Sequence, residues 1–293
     1  MNVVDVSKKF GDREFQEYEG KNFSRKYFRK IFKTGDVDCY WTDTDGSRKI
    51  LFKIRRNVIP PEMAREVYGV FLKHSKKVND QRSVASGSEE KKKNDRGITR
   101  SNVLVRSNIS GYFDTPYMQI KKHFKTTTVC RTTAFTRNNW DKWERVIPFF
   151  EIIAKKYKEL APEMYSLQLR EMAKCPPGFR IGRTPFTTVT SNYNWRTACH
   201  RDRGDFSRGL GNLTVLGGKF RGGYLGFPQF RVAVDVRPGD VVIMDVHQWH
   251  CNTELDTNDN DRTRLSFVTY FREKMVDCNK KKIIDGNEYY YKG

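Results

Sequence analysis

Apolar and polar positions divide the chain into a front portion of mixed elements and a back portion of closely spaced strands. Residues 36–58 alternate on either side of Asp45-Gly46, and Asp-Gly between two apolar runs predicts a β-hairpin. Pro60-Pro61 then opens the stretch from Glu62 to Lys73. Its apolar residues recur at three-to-four spacing, which predicts a helix beginning on proline. A longer helix is predicted from Asn138 to Leu160. Asn138 or Asn139 can cap it, Trp140, Trp143, Ile147, Phe150 and Ala154 share one face, and Pro148 sits where it can kink the rod.

From Thr184 the period becomes that of strands. The runs 186–190, 212–216, 223–227, 231–235, 241–245 and 264–271 alternate or are β-branched, with turns such as Arg237-Pro-Gly-Asp240 between them. Short strands at this spacing predict a sandwich or jelly roll, with the helices packed on one outer face: an α+β chain. No internal repeat is visible. One domain is expected over 1–293, with 1–35 as an N-terminal extension, the polar stretch 75–100 as a mobile loop within the domain, and 184–275 as its core.

Composition changes this picture in two ways. At 37% apolar and 13% aromatic residues, 293 residues can fill a substantial core, which argues against general disorder. The net charge is +20, from 55 Lys and Arg against 35 Asp and Glu, and nucleic acid is the natural partner of such an excess. No run approaches the roughly 20 apolar residues of a membrane span, and the N-terminus lacks a signal-peptide pattern. A soluble intracellular protein is expected. The six cysteines form no C-x-x-C pair and are read as free thiols in a reducing compartment.

The candidate chemistry lies in the strand region. His200 and Asp202 are two apart, so in an extended segment both project to one side and can reach one ion. Asp245-Val-His-Gln-Trp-His250 offers two further histidines. Alternation places His250 with Val242, Met244 and Val246, and places His247 with Asp245 on the more polar face. His250 is therefore the favoured third ligand, with His247 as the other candidate. Two imidazoles and one carboxylate suit ferrous iron and leave coordination positions open. Arg264 and Ser266 share a strand face and could hold a carboxylate-bearing co-substrate such as 2-oxoglutarate. Cys199 and Cys251 flank two of these ligands and are read as packing residues, turned to the opposite side. His74 and His123, in lysine-rich surroundings, are read as solvated, as are the lysines at 91–93 and 280–282.

Three segments resemble the TET/JBP family: Phe186 through Asp205, with its Cys-His-Arg-Asp sequence; Gly222-Gly-Tyr-Leu-Gly-Phe-Pro228; and Arg237-Pro-Gly-Asp through His250. Cys130-Arg-Thr-Thr-Ala-Phe-Thr-Arg137 is similar to the kinetoplastid base J thymine hydroxylases. The likeness spans roughly 105–275. It implies a double-stranded β-helix and an Fe(II)/2-oxoglutarate dioxygenase that oxidises the 5-methyl group of thymine or 5-methylcytosine in DNA. It also implies extrusion of the target base toward the metal. Under this resemblance His200, Asp202 and His250 hold iron, and Arg264 binds the distal carboxylate of 2-oxoglutarate with Ser266 in support. Asn192, Tyr193, Asn194 and Trp195 become candidates to hold the base, with Arg203 and Asp205 beside them. Arg201, Arg203 and Arg208 become candidates for phosphate contacts. Two other readings stay open at this point: an oxygenase of this fold acting on a protein side chain or small molecule, and a catalytically silent nucleic-acid binder.

Overall fold

The structure, a computed structural model, describes residues 1–87, 102–115, 130–256 and 263–278 in full, and the backbone alone at 92–93, 99–100, 279, 282–284 and 287–289. Thirteen strands build two facing sheets among the described residues: β1 (Asn2–Val6), β2 (Lys30–Phe32), β3 (Val37–Thr42), β4 (Arg48–Arg55), β5 (Ser107–Asp114), β6 (Cys130–Thr132), β7 (Thr188–Tyr193), β8 (Gly211–Leu216), β9 (Leu225–Phe227), β10 (Val232–Val234), β11 (Val241–Met244), β12 (Cys251–Asn252) and β13 (Leu265–Tyr270). The nine-stranded sheet has the order β1-β3-β4-β11-β8-β13-β7-β5-β6, and the four-stranded sheet has the order β12-β9-β10-β2. Only β1 with β3 and β2 with β10 pair in parallel among these neighbours; the remaining ladders are antiparallel.

Period-two alternation sorts the side chains of each central strand. In β8 and β11, Leu213, Val215, Val242 and Met244 point between the sheets, where they meet Leu225, Phe227, Val232 and Val234. Leu216, Val241 and Ile243 point the other way, toward the helices. Three helices cover that outer face: α1 (Pro61–Ser75), α2 (Trp140–Leu160) and α3 (Pro162–Met172). Phe71 of α1 and Phe149 of α2 pack on Phe267 of β13, at ring-centroid distances of 5.0 and 5.5 Å. The architecture is the expected jelly roll backed by helices, although the large sheet stays open and does not close into a barrel.

Several elements depart from the expectation. The buried face of α2 runs through Trp143, Val146, Phe150, Ile153 and Tyr157, whereas Trp140 is 45% exposed at the helix start. The helix continues unbroken through Pro148. The N-terminal extension, residues 1–35, is packed into the fold. β1 and β2 each join a sheet, and Phe15, Phe23 and Phe28 pack with Trp249, Cys199 and Cys251 on the outer side of the small sheet. The first part of the expected mobile loop is also packed: Ser83–Ser86 forms a 3-10 turn with Ala85 and Ser86 buried. Residues 88–91 and 94–98 of that loop, His123, Lys280 and Lys281 lie outside the described residues, as do the side chains of Lys92, Lys93 and Lys282.

Two of the six cysteines are not free. Cys130 and Cys278 form a disulfide across 148 residues, because β6 and the 3-10 segment Glu273–Asn279 bring their Cα atoms to 5.6 Å. Fold topology makes this pair, and no local cysteine spacing announces it. His74 is likewise not solvated. It stacks on Phe135 at 4.5 Å between ring centroids, and burial, with the nearby Lys77 charge, pushes its pKa down to about 4.

Candidate metal centre

His200 and His250 lie on facing segments joined by an antiparallel bridge, His200 N to His250 O and His250 N to His200 O, both 3.0 Å. The bridge sets the imidazole centroids 4.4 Å apart. Asp202 is drawn to the same side by a bond from its own N–H to the Val246 carbonyl at 3.0 Å. Its two carboxylate oxygens then lie 3.3 Å from His200 Nε2 and 3.6 Å from His250 Nε2. One potential ligand atom from each residue falls within 4.8 Å of the others.

The Nδ1 atoms face carbonyls: Ala198 O at 2.8 Å for His200 and Gln248 O at 2.9 Å for His250. A carbonyl can only accept, so each Nδ1 carries the proton and donates it. Each Nε2 is thereby directed at Asp202 as the potential metal donor. Two lone pairs and a carboxylate turned toward one centre call for positive charge there, either a proton on a histidine or a divalent cation. The titration behaviour follows from the same crowding. Burial would raise the Asp202 carboxyl, but the His200 hydrogen bond and the neighbouring histidine and Arg82 charges outweigh it and hold the group below its ordinary value. Burial first, then the His200 charge, pushes His250 down to about 4. Asp205 is driven well above the usual carboxylate range by burial and by the charge of Asp202, against Arg272 and Arg82.

A cavity of about 440 Å³ opens on this cluster. Alternate residues of two adjacent strands, Thr190 and Asn192 of β7 with Ser266, Val268 and Tyr270 of β13, form part of its wall. Arg264, 1% exposed, donates from Nη1 to Ser266 Oγ at 3.1 Å. Its Nε is buried without a hydrogen-bond partner among the described residues, and burial, reinforced by the Arg237 charge, pulls its pKa down to about 10. A guanidinium this enclosed, with a donor left over, fits an anion. The donor set likewise fits ferrous iron: two imidazoles and a carboxylate, all three lining the cavity.

The other singled-out residues separate clearly. His247 is not in the cluster. Its Nε2 donates to Phe206 O at 3.2 Å and it lines a different cavity, with Arg208. Asn192, Arg203 and Asp205 line the metal cavity, as does Arg201, whose guanidinium lies 4.5 Å over the Trp249 ring. Asn194 does not line it. It adopts a positive φ and accepts the Arg264 N–H on Oδ1 at 2.9 Å, fixing the start of β13. Tyr193 faces the helix side, with Lys76 over its ring at 5.2 Å. Cys199 and Cys251 turn into the aromatic cluster outside the small sheet, where burial pushes the Cys251 thiol up to about 12.

Arg82, Phe113, Tyr270 and Arg272, none of them among the residues expected at the site, also line the cavity. The signal for two of them was present: Arg264, Ser266, Val268, Tyr270 and Arg272 are successive even positions on one strand face.

A family model described as the oxygenase domain of the 2OGFeDO superfamily, Tet_JBP, matches residues 108–273. Thymine dioxygenase JBP1-B of Trypanosoma cruzi (strain CL Brener) is 40% identical over 168 residues, 57% of this chain and 19% of that protein. The bifunctional helicase and thymine dioxygenase JBP2 of Leishmania braziliensis is 35% identical over 185 residues, 63% of this chain and 16% of that protein. The chain thus spans about a fifth or less of the length of these curated relatives. Among solved structures, NgTET1 in complex with 5mC DNA aligns with a TM-score of 0.56 at 15% identity, covering 94% of this chain and 84% of that one. At that identity the likeness concerns the fold.

Proposed function

We propose a function for this chain, which belongs to the Tet_JBP family of 2OGFeDO oxygenase domains: it hydroxylates the 5-methyl group of thymine or 5-methylcytosine in DNA, with ferrous iron, 2-oxoglutarate and dioxygen. The observation that carries this reading is the convergence of His200, Asp202 and His250 on one cavity whose wall includes Ser266, the hydrogen-bond partner of the buried Arg264. The relatives named thymine dioxygenase support the substrate class.

His200, Asp202 and His250 would hold the iron by Nε2, a carboxylate oxygen and Nε2. Bound iron with 2-oxoglutarate and dioxygen supplies an oxidant strong enough for a methyl C–H bond. Arg264 would receive the carboxylate of 2-oxoglutarate remote from the metal, and Ser266 Oγ, already its hydrogen-bond partner at 3.1 Å, orients the guanidinium. The Nδ1–carbonyl bonds of both histidines keep the ligand nitrogens aimed at one point. A methyl group on a stacked, paired base cannot enter a cavity of about 440 Å³ with the helix intact, so the base must leave the stack. Arg201 and Arg203, at the cavity, join the basic excess in attracting phosphate.

The test is incubation of the protein with Fe(II), 2-oxoglutarate and duplex DNA, with nucleosides read by mass spectrometry. One added oxygen on a 5-methylpyrimidine, dependent on 2-oxoglutarate, is expected. Succinate formation with unchanged nucleosides would instead point to a protein or small-molecule substrate. Salt-sensitive DNA binding without succinate would point to a silent binder.

A further inference from the structure

We propose that Arg82 selects thymine over 5-methylcytosine in this cavity, by donating to the 4-oxo oxygen of the base. The inference rests on the function proposed above and names the preferred substrate of that same site.

Arg82 belongs to a wall that lies outside the segment 108–273 shared with the family. Gln81 through Ala85 line the cavity together with the metal-ligand candidates. The wall is anchored at both ends. Asn79 and Val105 exchange backbone hydrogen bonds at 2.8 Å, and the Ala85 carbonyl accepts from Ala198 N at 3.0 Å, two residues before His200. Between these anchors Ser83 holds a φ of +45°, a backbone conformation uncommon outside glycine. The wall is therefore built and held in register with the metal segment.

Within the cavity, the other arginines are already engaged. Arg272 donates to Asp114 at 3.0 Å, Arg203 pairs with Glu19 at 3.2 Å, and Arg201 lies over Trp249. Arg82 has no ion-pair or side-chain hydrogen-bond partner among the described residues. It is half-buried, and its charge is felt at Asp202, Asp205 and Tyr270. It thus stands beside the metal centre with donors to spare.

Simple chemistry then fixes what it can read. The methyl group to be oxidised is on C5, and C4 is the adjacent ring carbon. A base that presents its methyl to the metal must bring its 4-substituent against the groups next to the metal. In thymine that substituent is an oxo oxygen, which accepts hydrogen bonds. In 5-methylcytosine it is an amino group, which donates them. A guanidinium has five N–H donors and no acceptor, so it satisfies the first and opposes the second.

The test compares the wild type with Arg82→Gln and Arg82→Lys on duplexes carrying thymine or 5-methylcytosine in one sequence context. The readout is kcat/KM for nucleoside oxidation on each. The wild type is expected to favour thymine by about tenfold or more. Arg82→Gln should bring the ratio near one by loss of thymine turnover, because an amide can present either a donor or an acceptor. Arg82→Lys, which keeps only donors, should retain part of the preference. A wild type that prefers 5-methylcytosine overturns the proposal, as does a ratio that survives Arg82→Gln while both activities fall together. A wild type that oxidises neither base overturns the proposed function itself.

Discussion

His200 and His250 exchange backbone hydrogen bonds of 3.0 Å in both directions, so the spacing of two side chains fifty positions apart in sequence is set by the ladder rather than by packing. An antiparallel bridge of this kind fixes Cα separation and side-chain direction together. Asp202 enters the same frame through its bond to Val246. The three donors are therefore arranged by main-chain geometry before any ion arrives.

From this frame the third ligand should be His250 and not His247. His250→Ala is expected to abolish stoichiometric iron binding and turnover, and His247→Ala to retain bound iron. Metal analysis of the two purified variants checks this; the reverse pattern would remove His250 from the centre.

Arg264→Gln should raise the KM for 2-oxoglutarate by at least about tenfold, because a charge-assisted contact is lost. Ser266→Ala should have a smaller effect in the same direction, since Ser266 orients the guanidinium. Initial rates against 2-oxoglutarate concentration, followed as succinate, give both numbers.

Gly204 adopts a φ of +103°, and a Cβ there would meet Arg272 Nη1 at 2.6 Å. Gly204→Ala is expected to cost about 1–3 kcal/mol of stability and to disturb the turn between Asp202 and Asp205. Thermal unfolding together with turnover should show both losses.

His74 contributes an acid sensitivity away from the metal. Its folded pKa of about 4 lies below the ordinary 6.5, so the unfolded chain takes up a proton first as pH falls. Stability from the neutral ring is complete above about pH 6.5 and declines through the window down to about pH 4, by at most about 3 kcal/mol. His74→Gln should flatten the denaturation midpoint across that window.

The Cys130–Cys278 bridge closes a loop of 148 residues and should contribute about 2–4 kcal/mol. Reductant should lower the unfolding midpoint of the wild type and leave Cys278→Ser unaffected.

Strands, and the residues that cluster at the candidate metal centre, were legible in the sequence where one local rule governs. Alternation put His250 and not His247 with Met244, and the structure gathers His250 with His200 and Asp202. Asp45-Gly46 marked a hairpin that forms between β3 and β4. What escaped depended on distant partners. The strands β1 and β2 exist because β3 and β10 offer them edges, and nothing in 1–35 alone says so. Arg82 sits in a polar stretch that reads as loop, and it becomes part of the wall through the mutual bonds of Asn79 and Val105 and the bond from Ala198 N to the Ala85 carbonyl. The disulfide is likewise a product of topology. Asn194 and Tyr193 were plausible base contacts by position, but a positive φ and the opposite strand face assign them to scaffolding.

The most direct test of the central claim is nucleoside mass spectrometry of duplex DNA treated with the wild type and with Asp202→Ala. A 5-methylpyrimidine bearing one added oxygen is expected, formed only with Fe(II) and 2-oxoglutarate and absent with Asp202→Ala. Unmodified nucleosides from an iron-loaded wild type that still converts 2-oxoglutarate to succinate would contradict it.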